Sequence, residues 1–442
     1  MVMVTRVEDI SSVKKKVTIQ IESREVDRKI NSAYRELRKK ARIPGFRPGK
    51  VPRKILESRF WDDVADDVTR DLINESFPKA LEEIDVMPLG TPVLEKRTLK
   101  QGEDFQYSVL IEVRPRIDLN DYLGMEVEKE EICVTDKDVA ERIEQIRQSN
   151  GDLKSIKEER PVRKDDYVVL DYEAFEGQTP LDDKATNFML QVGSNSFHPD
   201  FENALTGLKR LDETEIHVGF EDSYYNTRLA GKQVTFKVKI LDIKELVVPE
   251  LDDEFARNLG ADFNNLEELR EKVRESIVAS EEKRIDREMK QRLVRKITER
   301  LDFEVPQVLV ESELNYAVEN FKQNLIQNGS SLEQIGITEE KLKSNFRAVS
   351  ENRVREKLVL EEIARRENIT LDDEDLAAGY QDLAAEMGMD AEIVRQYYEA
   401  RDLVPSLKEK LREEKTLNYL VEHANIQTVD RDVLNENMSA EK

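Results

Sequence analysis

The residues of this chain that could do chemistry are concentrated in one short stretch, Arg42-Ile-Pro-Gly-Phe-Arg-Pro-Gly-Lys-Val-Pro52. Its prolines and glycines predict a loop, because proline presets φ and glycine admits tight turns. The loop presents Phe46 and Arg47 at its tip, with Lys50 and Arg53 behind them. An arginine fork binds a phosphate or carboxylate through two hydrogen bonds, and a displayed aromatic ring stacks on a base or enters an apolar crevice. This chemistry predicts docking onto a phosphate-rich partner or an acidic protein.

Charge is distributed unevenly along the sequence. The 442 residues carry a net charge of −24, yet residues 12–60 hold 16 basic residues and only five acidic ones. An acidic protein with one strongly basic region is expected to dock through that region, because the remainder is repelled by polyanions. A solvated helix face is the alternative explanation of such a run, but the loop motif inside it favours docking.

The sequence contains few residues that could form a disulfide, a metal centre or a cofactor site. The single cysteine, Cys133, excludes an internal disulfide and a cysteine-rich metal centre, and the three histidines are scattered: His198, His217 and His423. We therefore expect no metal and no cofactor. No apolar stretch approaches the roughly 18 residues that span a bilayer, and the first twelve residues lack the apolar segment of a signal peptide. These observations predict a cytoplasmic protein without a membrane partner.

The elements that must position the docking loop form an α+β module. Residues 13–23 and 105–113 alternate between apolar and polar, which predicts two strands that pair with each other. Residues 26–41 carry apolar side chains at helical spacing, and Pro44-Gly45 ends that helix. Val51 to Ile84 predicts two more helices. The loop therefore lies between helices of one N-terminal module.

Behind this module the pattern changes twice. Residues 136–149 predict a short helix, and residues 161–246 predict strands that are interrupted by a helix over 199–208. From residue 264 onward the pattern is helical, beginning with a helix of about 37 residues that would be ~55 Å long at 1.5 Å per residue. Such a length indicates an extended arm or a coiled hairpin. We expect the polar tail beyond Thr428 to be frayed.

The triplet Gly45-Phe46-Arg47, followed after four residues by Pro52, resembles the ribosome-docking signature of the bacterial trigger factor family. The resemblance extends over essentially the whole chain. It implies a multidomain α+β protein with an α+β docking domain, an FKBP-like β-sheet domain with a short helix, and an all-α chaperone domain of long helices. The expected parts are a ribosome-binding domain over 1–115, a linker and helix that pack with the C-terminal domain over 116–160, an FKBP-type peptidyl-prolyl isomerase domain over 161–246 and a helical chaperone domain over 247–442.

The resemblance also implies the partners. In this family the loop docks on the large ribosomal subunit beside the nascent-chain exit, through protein and RNA contacts. Four residues here match the signature and three more are added from charge and position: Gly45, Phe46, Arg47 and Pro52, then Arg42, Lys50 and Arg53. The other expected partners are unfolded nascent polypeptides and, off the ribosome, a second copy of the chain in a homodimer.

The central segment is similar to FKBP-type prolyl isomerases, which need no nucleophile, metal or titrating base. The barrier to rotation about the imide bond is about 20 kcal/mol, and it falls when an apolar, water-excluding pocket favours loss of the double-bond character. The resemblance implies an aromatic pocket whose floor is Phe201 and whose donor to the substrate carbonyl is the amide of His198. The expected catalytic residues are Tyr172, Phe188, Phe197, His198, Phe201, Tyr224 and Phe236.

This segment departs from the family pattern at three places. His198 stands where the family usually has an aliphatic residue, Asp200 stands where it has glycine, and its Phe-Asp pair appears as Leu181-Asp182. A charge at Asp200 would oppose an apolar pocket unless a helix N-terminus holds it at the solvent edge. The alternative is therefore a peptide-binding domain without activity, in which the aromatic residues form only a core.

The long amphipathic helices either pair tightly in a closed bundle or leave apolar grooves open. The resemblance favours open arms around a client cradle, lined by Met289, Leu293, Phe321, Leu325 and Leu358. The expected function is that of a ribosome-associated chaperone for newly synthesised polypeptides, with prolyl isomerase activity. The rival hypotheses are a free FKBP-type isomerase with helical dimerisation arms, a periplasmic folding chaperone and, more weakly, a nucleic-acid-binding regulator.

Overall fold

The computed structural model of the chain is a mixed α+β protein, 51% helical and 21% strand. It describes residues 2–47, 49–95, 99–221, 229, 231–260, 263–328, 330–332 and 335–440. The chain forms two compact units. The first contains Met1–Met125, Val294–Asn320 and Lys343–His423, and the second contains Glu126–Leu293, Phe321–Leu342 and Ala424–Lys442.

The first half of the chain contains most of the strands. In order, its elements are β1 (Val2–Asp9), β2 (Lys14–Ile21), α1 (Ser23–Lys40), α2 (Arg53–Ile84), β3 (Leu89–Glu95), β4 (Phe105–Glu112), β5 (Glu126–Glu130), α3 (Asp136–Ser149), β6 (Asp152–Ser155), β7 (Tyr167–Glu176), β8 (Thr179–Gln191), α4 (Pro199–Leu205), β9 (Glu213–Gly219) and β10 (Gln233–Val247).

The second half is helical apart from one strand. Its elements are α5 (Asp253–Leu259), α6 (Leu266–Thr298), α7 (Gln307–Gln327), α8 (Glu339–Arg366), α9 (Asp373–Met387), α10 (Ala391–Ala400), α11 (Val404–Glu422), β11 (Asn425–Val429) and α12 (Arg431–Ala440). The predicted 37-residue helix is therefore the 33-residue α6. The expectation of a frayed tail is wrong for Arg431–Ala440, which forms a helix.

The docking domain in the first unit is an antiparallel sheet of order β1-β2-β4-β3. The predicted pairing of the two alternating segments is confirmed, with Val17 opposite Val109. Alternate residues of these strands face α1 and α2 and form a continuous apolar core: Val17, Ile19, Ile21, Tyr107, Val109 and Ile111. Helix α2 is kinked at Phe60 (φ −130°, ψ 18°), so the two helices predicted over this range are present.

The segment that leaves the docking domain is fixed to α8 and α11 within the same unit. The hydroxyls of Tyr122 and Tyr419 both donate to the carboxylate of Glu367, the latter at 2.7 Å. The guanidinium of Arg366 lies 5.4 Å from the centre of the Tyr122 ring. Burial and the Glu367 carboxylate raise the pKa of Tyr122 to about 12, so its hydroxyl remains a donor at every physiological pH.

In the second unit, β10 pairs with β7 along one edge and with β9 and β6 along the other, while β8 pairs with β7. The short helix α4 packs on one face of this sheet, where it buries Phe201 and Leu205. Beyond the sheet, β6 and the end of β10 continue as a two-stranded ribbon, with Ser155 opposite Lys244.

Helices α3, α5 and α6 form a separate apolar cluster. None of the helices in the described ranges is long and apolar enough to cross a membrane.

Candidate functional site

The sheet of the second unit carries an aromatic pocket. Five of the seven predicted catalytic residues come together there: Tyr172 from β7, Phe188 from β8, Phe197 from the loop before α4, Phe201 from α4 and Phe236 from β10. The Tyr172 ring centre lies 5.5 Å from that of Phe188 and 5.8 Å from that of Phe236. The rings of Phe197 and Phe201 are 4.5 Å apart. Most of these pairs meet edge to face, the arrangement that aromatic quadrupoles favour.

Depth divides these rings into a floor and walls. Phe201 and Phe236 are fully buried, whereas Tyr172, Phe188 and Phe197 are only half-buried. Strand alternation explains this position of Tyr172, because it shares a face with the buried Leu170 and Ala174. The half-buried rings therefore present apolar surface to a ligand, above two rings that belong to the core.

Two of the predicted catalytic residues, His198 and Tyr224, are not among these five aromatic rings. His198 caps the N-terminus of α4, and its Nδ1 accepts a hydrogen bond from the Asp200 amide at 3.2 Å. Its ring meets Phe220 edge to face at 5.0 Å. Asp200 lies in the first turn of α4 with 68% of its side chain exposed, so it puts no charge into the pocket. Tyr224 lies outside the described residues.

Sequence reasoning missed one polar residue of the pocket. The hydroxyl of Tyr172 donates to Oδ1 of Asp183 at 3.1 Å, which fixes a ring that contacts Phe188, Phe197, Phe201 and Phe236. The family resemblance places the Phe-Asp pair at Leu181-Asp182, one residue earlier, and Leu181 packs against the apolar core that contains Phe201 and Phe236. Two consecutive aspartates in the sequence were the available signal, and the hydrogen bond from Tyr172 identifies Asp183.

The docking loop is held at both ends by buried residues. Ile43 is 5% exposed and Val51 is fully buried, and both belong to the core of the docking domain. Between them Gly45 (φ 90°) and Gly49 (φ 79°) adopt left-handed backbone conformations that favour glycine. The Phe46 amide donates to the Ile43 carbonyl at 3.0 Å. The backbone thus closes a turn whose tip carries Phe46.

The cations of the loop fall into two groups. Arg42, Arg47 and Lys50 are exposed and form none of the ion pairs found in the described part of the chain. Arg53 is already engaged, since its Nε donates to Glu57 at 2.6 Å and its guanidinium lies 5.3 Å from the centre of the Tyr34 ring. The first three are therefore available to an anionic partner without breaking an existing pair. Pro52 precedes the first residue of α2.

The predicted client-binding residues are mostly inside the protein. Met289 and Leu293 are each 1% exposed and Leu358 is 5% exposed, so in this structure they offer no surface to a client. Phe321 and Leu325 are half-buried. Apolar spacing along a helix does not reveal which stripe another helix covers, so the sequence pattern alone does not distinguish these buried positions from a client-binding surface.

Exposed apolar side chains cluster instead around the turn between α9 and α10. Met387 is 55% exposed, Met389 48%, Ile393 53% and Tyr397 44%. Ile393 and Tyr397 are four residues apart and so lie on one face of α10. We call these four residues the hairpin patch.

Comparison with known proteins gives the family. Residues 3–146 match the profile of the bacterial trigger factor protein, residues 265–422 match the trigger factor C-terminus, and residues 158–241 match FKBP-type peptidyl-prolyl cis-trans isomerases. The trigger factor of Geotalea uraniireducens (strain Rf4) is 37% identical over 427 residues, which are 96% of this chain and 98% of that protein. The chain belongs to the trigger factor family. The trigger factor of Syntrophotalea carbinolica is 35% identical and covers 98% of both chains.

A solved structure of the trigger factor chaperone is also similar, with 22% identity, a TM-score of 0.49 and coverage of 95% of this chain and 99% of that one. The trigger factor family consists of ribosome-associated chaperones that bind nascent polypeptides. As a member of this family, the chain is a chaperone with a ribosome-docking N-terminal domain and an FKBP-type isomerase domain.

Proposed function

We propose that this protein docks on the large ribosomal subunit beside the nascent-chain exit through the loop of residues 42–52, in the cytoplasm. There it shields emerging chains and isomerises their Xaa–Pro bonds in the aromatic pocket. The observation that carries the isomerase proposal is the convergence of five aromatic rings on one pocket, in which the Asp183 carboxylate is engaged by the Tyr172 hydroxyl. Contacts with both ribosomal protein and RNA are part of the proposal.

The pocket suits this reaction for a physical reason. Planarity of the imide bond comes from resonance, which places partial charges on its oxygen and nitrogen. When the bond twists, that charge separation decreases, so a site that excludes water favours the twisted form over the planar one. Phe197 and Tyr172 supply the apolar walls, and the His198 amide is proposed as the donor that orients the substrate carbonyl. No proton transfer to or from a side chain is required.

The test compares two phenylalanines of the same domain in the full-length protein. Phe197→Leu removes a pocket wall, whereas Phe175→Leu removes a ring that lies 4.8 Å from the Lys237 ammonium and outside the aromatic cluster. We expect the first change to lower kcat/KM for cis-to-trans conversion of a Phe-Pro peptide by about tenfold or more, and the second to leave it within about twofold, because only misplacement of a group at the reacting bond costs rate on this scale. Wild-type rates in both variants would show that Phe197 does not line the catalytic site, whereas a wild-type protein that does not accelerate the conversion would favour a peptide-binding domain without activity.

The docking proposal rests on a loop that is anchored at both ends by buried residues and that carries exposed cations. The buried Ile43 and Val51 and the left-handed glycines set the shape of the loop in the free protein. Binding therefore costs little ordering entropy. Three unpaired cations next to an exposed phenylalanine are suited to a surface of phosphates and carboxylates with an apolar crevice.

For client binding we propose the hairpin patch. Methionine side chains are flexible and polarisable, which suits a surface that must accept many sequences. The neighbouring Glu386, Asp390 and Glu392 add charge beside the apolar surface and would oppose self-association of the patch. Phe321 and Leu325 remain proposed as half-buried contributors.

A matched pair of double variants tests this patch. Met387→Ser with Ile393→Ser removes two exposed apolar side chains from it. Met189→Ser with Leu211→Ser removes two of similar exposure, 47% and 66%, from the isomerase domain. We expect the first variant to lose at least half of its ability to suppress aggregation of a chemically denatured protein, and the second to retain it. The proposal fails if both variants protect equally well.

A further inference from the structure

A buried carboxylate lies directly behind the aromatic pocket. Glu202, in α4, is 1% exposed, and it accepts three backbone hydrogen bonds from one loop. Its Oε2 accepts from the amides of Gly193 at 2.9 Å and Asn195 at 3.0 Å, and its Oε1 accepts from the amide of Phe197 at 2.8 Å. A carboxylate without water is stable only when hydrogen bonds replace its hydration, and these three amides supply that replacement.

The loop that Glu202 holds has a conformation that needs support. Gly193 (φ 89°) and Asn195 (φ 56°) both adopt left-handed backbone conformations. For a residue other than glycine such a conformation is uncommon and costs energy, so it persists only where surrounding contacts determine it. Both residues donate to the same oxygen of Glu202, which therefore stabilises the unusual backbone at the two places where it occurs.

This loop ends at a pocket wall. The Phe197 ring centre lies 4.5 Å from that of Phe201, 5.8 Å from that of Phe236 and 5.9 Å from that of Tyr172. Because the Phe197 amide donates to Glu202, and because Glu202 follows Phe201 in α4, one side chain fixes the wall relative to the floor.

We propose that Glu202 is a positioning residue of the isomerase, which sets the place of Phe197 by binding the backbone of residues 193–197. Glu202 has no contact with the substrate. The inference rests on the proposed isomerase function and adds to it the group that holds the pocket in shape before a peptide binds.

Two substitutions separate geometry from charge. In Glu202→Gln an NH2 group replaces one carboxylate oxygen, and since it donates but does not accept, at least one backbone amide loses its acceptor. Glu202→Asp keeps the charge but withdraws it by one methylene, so it cannot reach all three amides. A displacement of a reacting-site group by about 1 Å can cost a hundredfold in rate. We expect both variants to lower kcat/KM for a Phe-Pro peptide by ten- to a hundredfold.

Asp166→Asn is the matched control. Asp166 is also buried, at 6% exposed, and its carboxylate also accepts a backbone amide, that of Arg163 at 2.8 Å, but its other described side-chain hydrogen bonds come from Arg160 and not from loop 193–197. It should lower the thermal midpoint while leaving kcat/KM within about threefold when measured well below that midpoint. Loss of stability alone would affect all three variants in the same way.

A spectroscopic readout follows the hydrogen bonds themselves. In the full-length protein labelled with ¹⁵N-phenylalanine, the Phe197 amide proton should resonate downfield, because it donates to a carboxylate, and a Phe197→Leu sample identifies its peak. The peak should move upfield in Glu202→Gln and stay in place in Asp166→Asn.

The outcomes are separable. A wild-type chain that does not accelerate peptide isomerisation would contradict the proposed isomerase function and, with it, this inference. If the wild type is active and Glu202→Gln has the same rate, although its Phe197 amide resonance has shifted, the proposed role of Glu202 is wrong and the isomerase proposal is unaffected.

Discussion

The docking loop can be tested by removing its tip without altering its shape. The backbone bonds that shape the loop, from the Phe46 amide to the Ile43 carbonyl and from the Lys50 amide to the Arg47 carbonyl, do not involve the side chains of Phe46 or Arg47. Phe46 is 38% exposed, and Arg47 forms none of the described ion pairs. The double variant Phe46→Ala/Arg47→Ala should therefore change the free energy of unfolding by no more than about 1 kcal/mol.

Binding should change far more. An aromatic anchor and an arginine at the centre of an interface typically contribute about 2 kcal/mol each on truncation, so the double variant should lose about 4 kcal/mol. This corresponds to roughly a thousandfold weaker binding to ribosomes. The plot of log K against log salt concentration has a negative slope. If Arg47 contacts phosphate, the magnitude of this slope should decrease by about 1 in the double variant, so its binding should depend less on salt. Co-sedimentation at several salt concentrations measures both quantities.

A matched control lies in the same domain. Arg6→Ala/Val7→Ala removes an arginine whose side chain is 72% exposed and a neighbouring apolar residue that is 42% exposed, both on β1. This variant should bind ribosomes with an affinity within about threefold of wild type. Unchanged binding of the loop variant, or an equal loss in the control, would refute the reasoning, because the interaction would then depend on overall charge or on another surface.

Three further predictions concern domain independence and pH. Because Ser155 and Lys244 are opposite each other in an antiparallel ribbon, replacing residues 156–243 by Asn-Gly should close a hairpin and leave aggregation suppression of a denatured protein at half or more of wild type. Burial, and then Glu413, raise the pKa of Glu356, so Glu356→Gln should raise the thermal midpoint at pH 7 by a few degrees, with the gain vanishing toward pH 4.5. Burial alone would raise the pKa of Asp166, but the hydrogen bonds from Arg160 and Arg163 outweigh it and lower that pKa. Asp166→Asn should therefore be less stable than wild type above about pH 4, and calorimetry should show the difference shrinking as the pH falls through the pKa of Asp166.

The two pH predictions differ because folding raises the pKa of Glu356 and lowers the pKa of Asp166. A carboxyl whose pKa is raised on folding stabilises the fold most when protonated, so the penalty at Glu356 disappears in acid. A carboxyl whose pKa is lowered stabilises the fold most when ionised, so the contribution of Asp166 disappears in acid. An acid dependence of the same sign for both variants would show that neighbouring groups control the titration.

Local chemistry was the most predictable part of this protein. Proline and glycine act on their own residues, so the loop around Phe46 could be placed between two helices from the sequence alone, and the alternating segments correctly gave the paired strands β2 and β4. The aromatic pocket needed the family resemblance as well, since nothing local indicates that Phe188 and Phe236, on different strands, face the same helix.

Burial of the long helices could not be predicted, because it depends on contacts between segments far apart in sequence. Met289 and Leu293 carry the spacing of a client-binding stripe and the spacing of a core stripe equally well, and the structure buries them. The hairpin patch went unnoticed because its methionines and Tyr397 do not form a long periodic run. Exposure, rather than periodicity, identifies a binding surface.

Glu202 shows why positioning groups escape sequence reasoning. A glutamate after Phe201 in a short helix is expected to be solvated, as most glutamates are. Its proposed function depends on the neighbouring loop. The left-handed backbone at Gly193 and Asn195 directs the amides of these two residues toward the same oxygen, Oε2 of Glu202. A backbone that directs several N–H groups inward needs an anion at their focus, and α4 supplies one from the residue next to the pocket floor. As proposed, the Phe197 wall of the isomerase pocket is held in place by a charge buried just behind it.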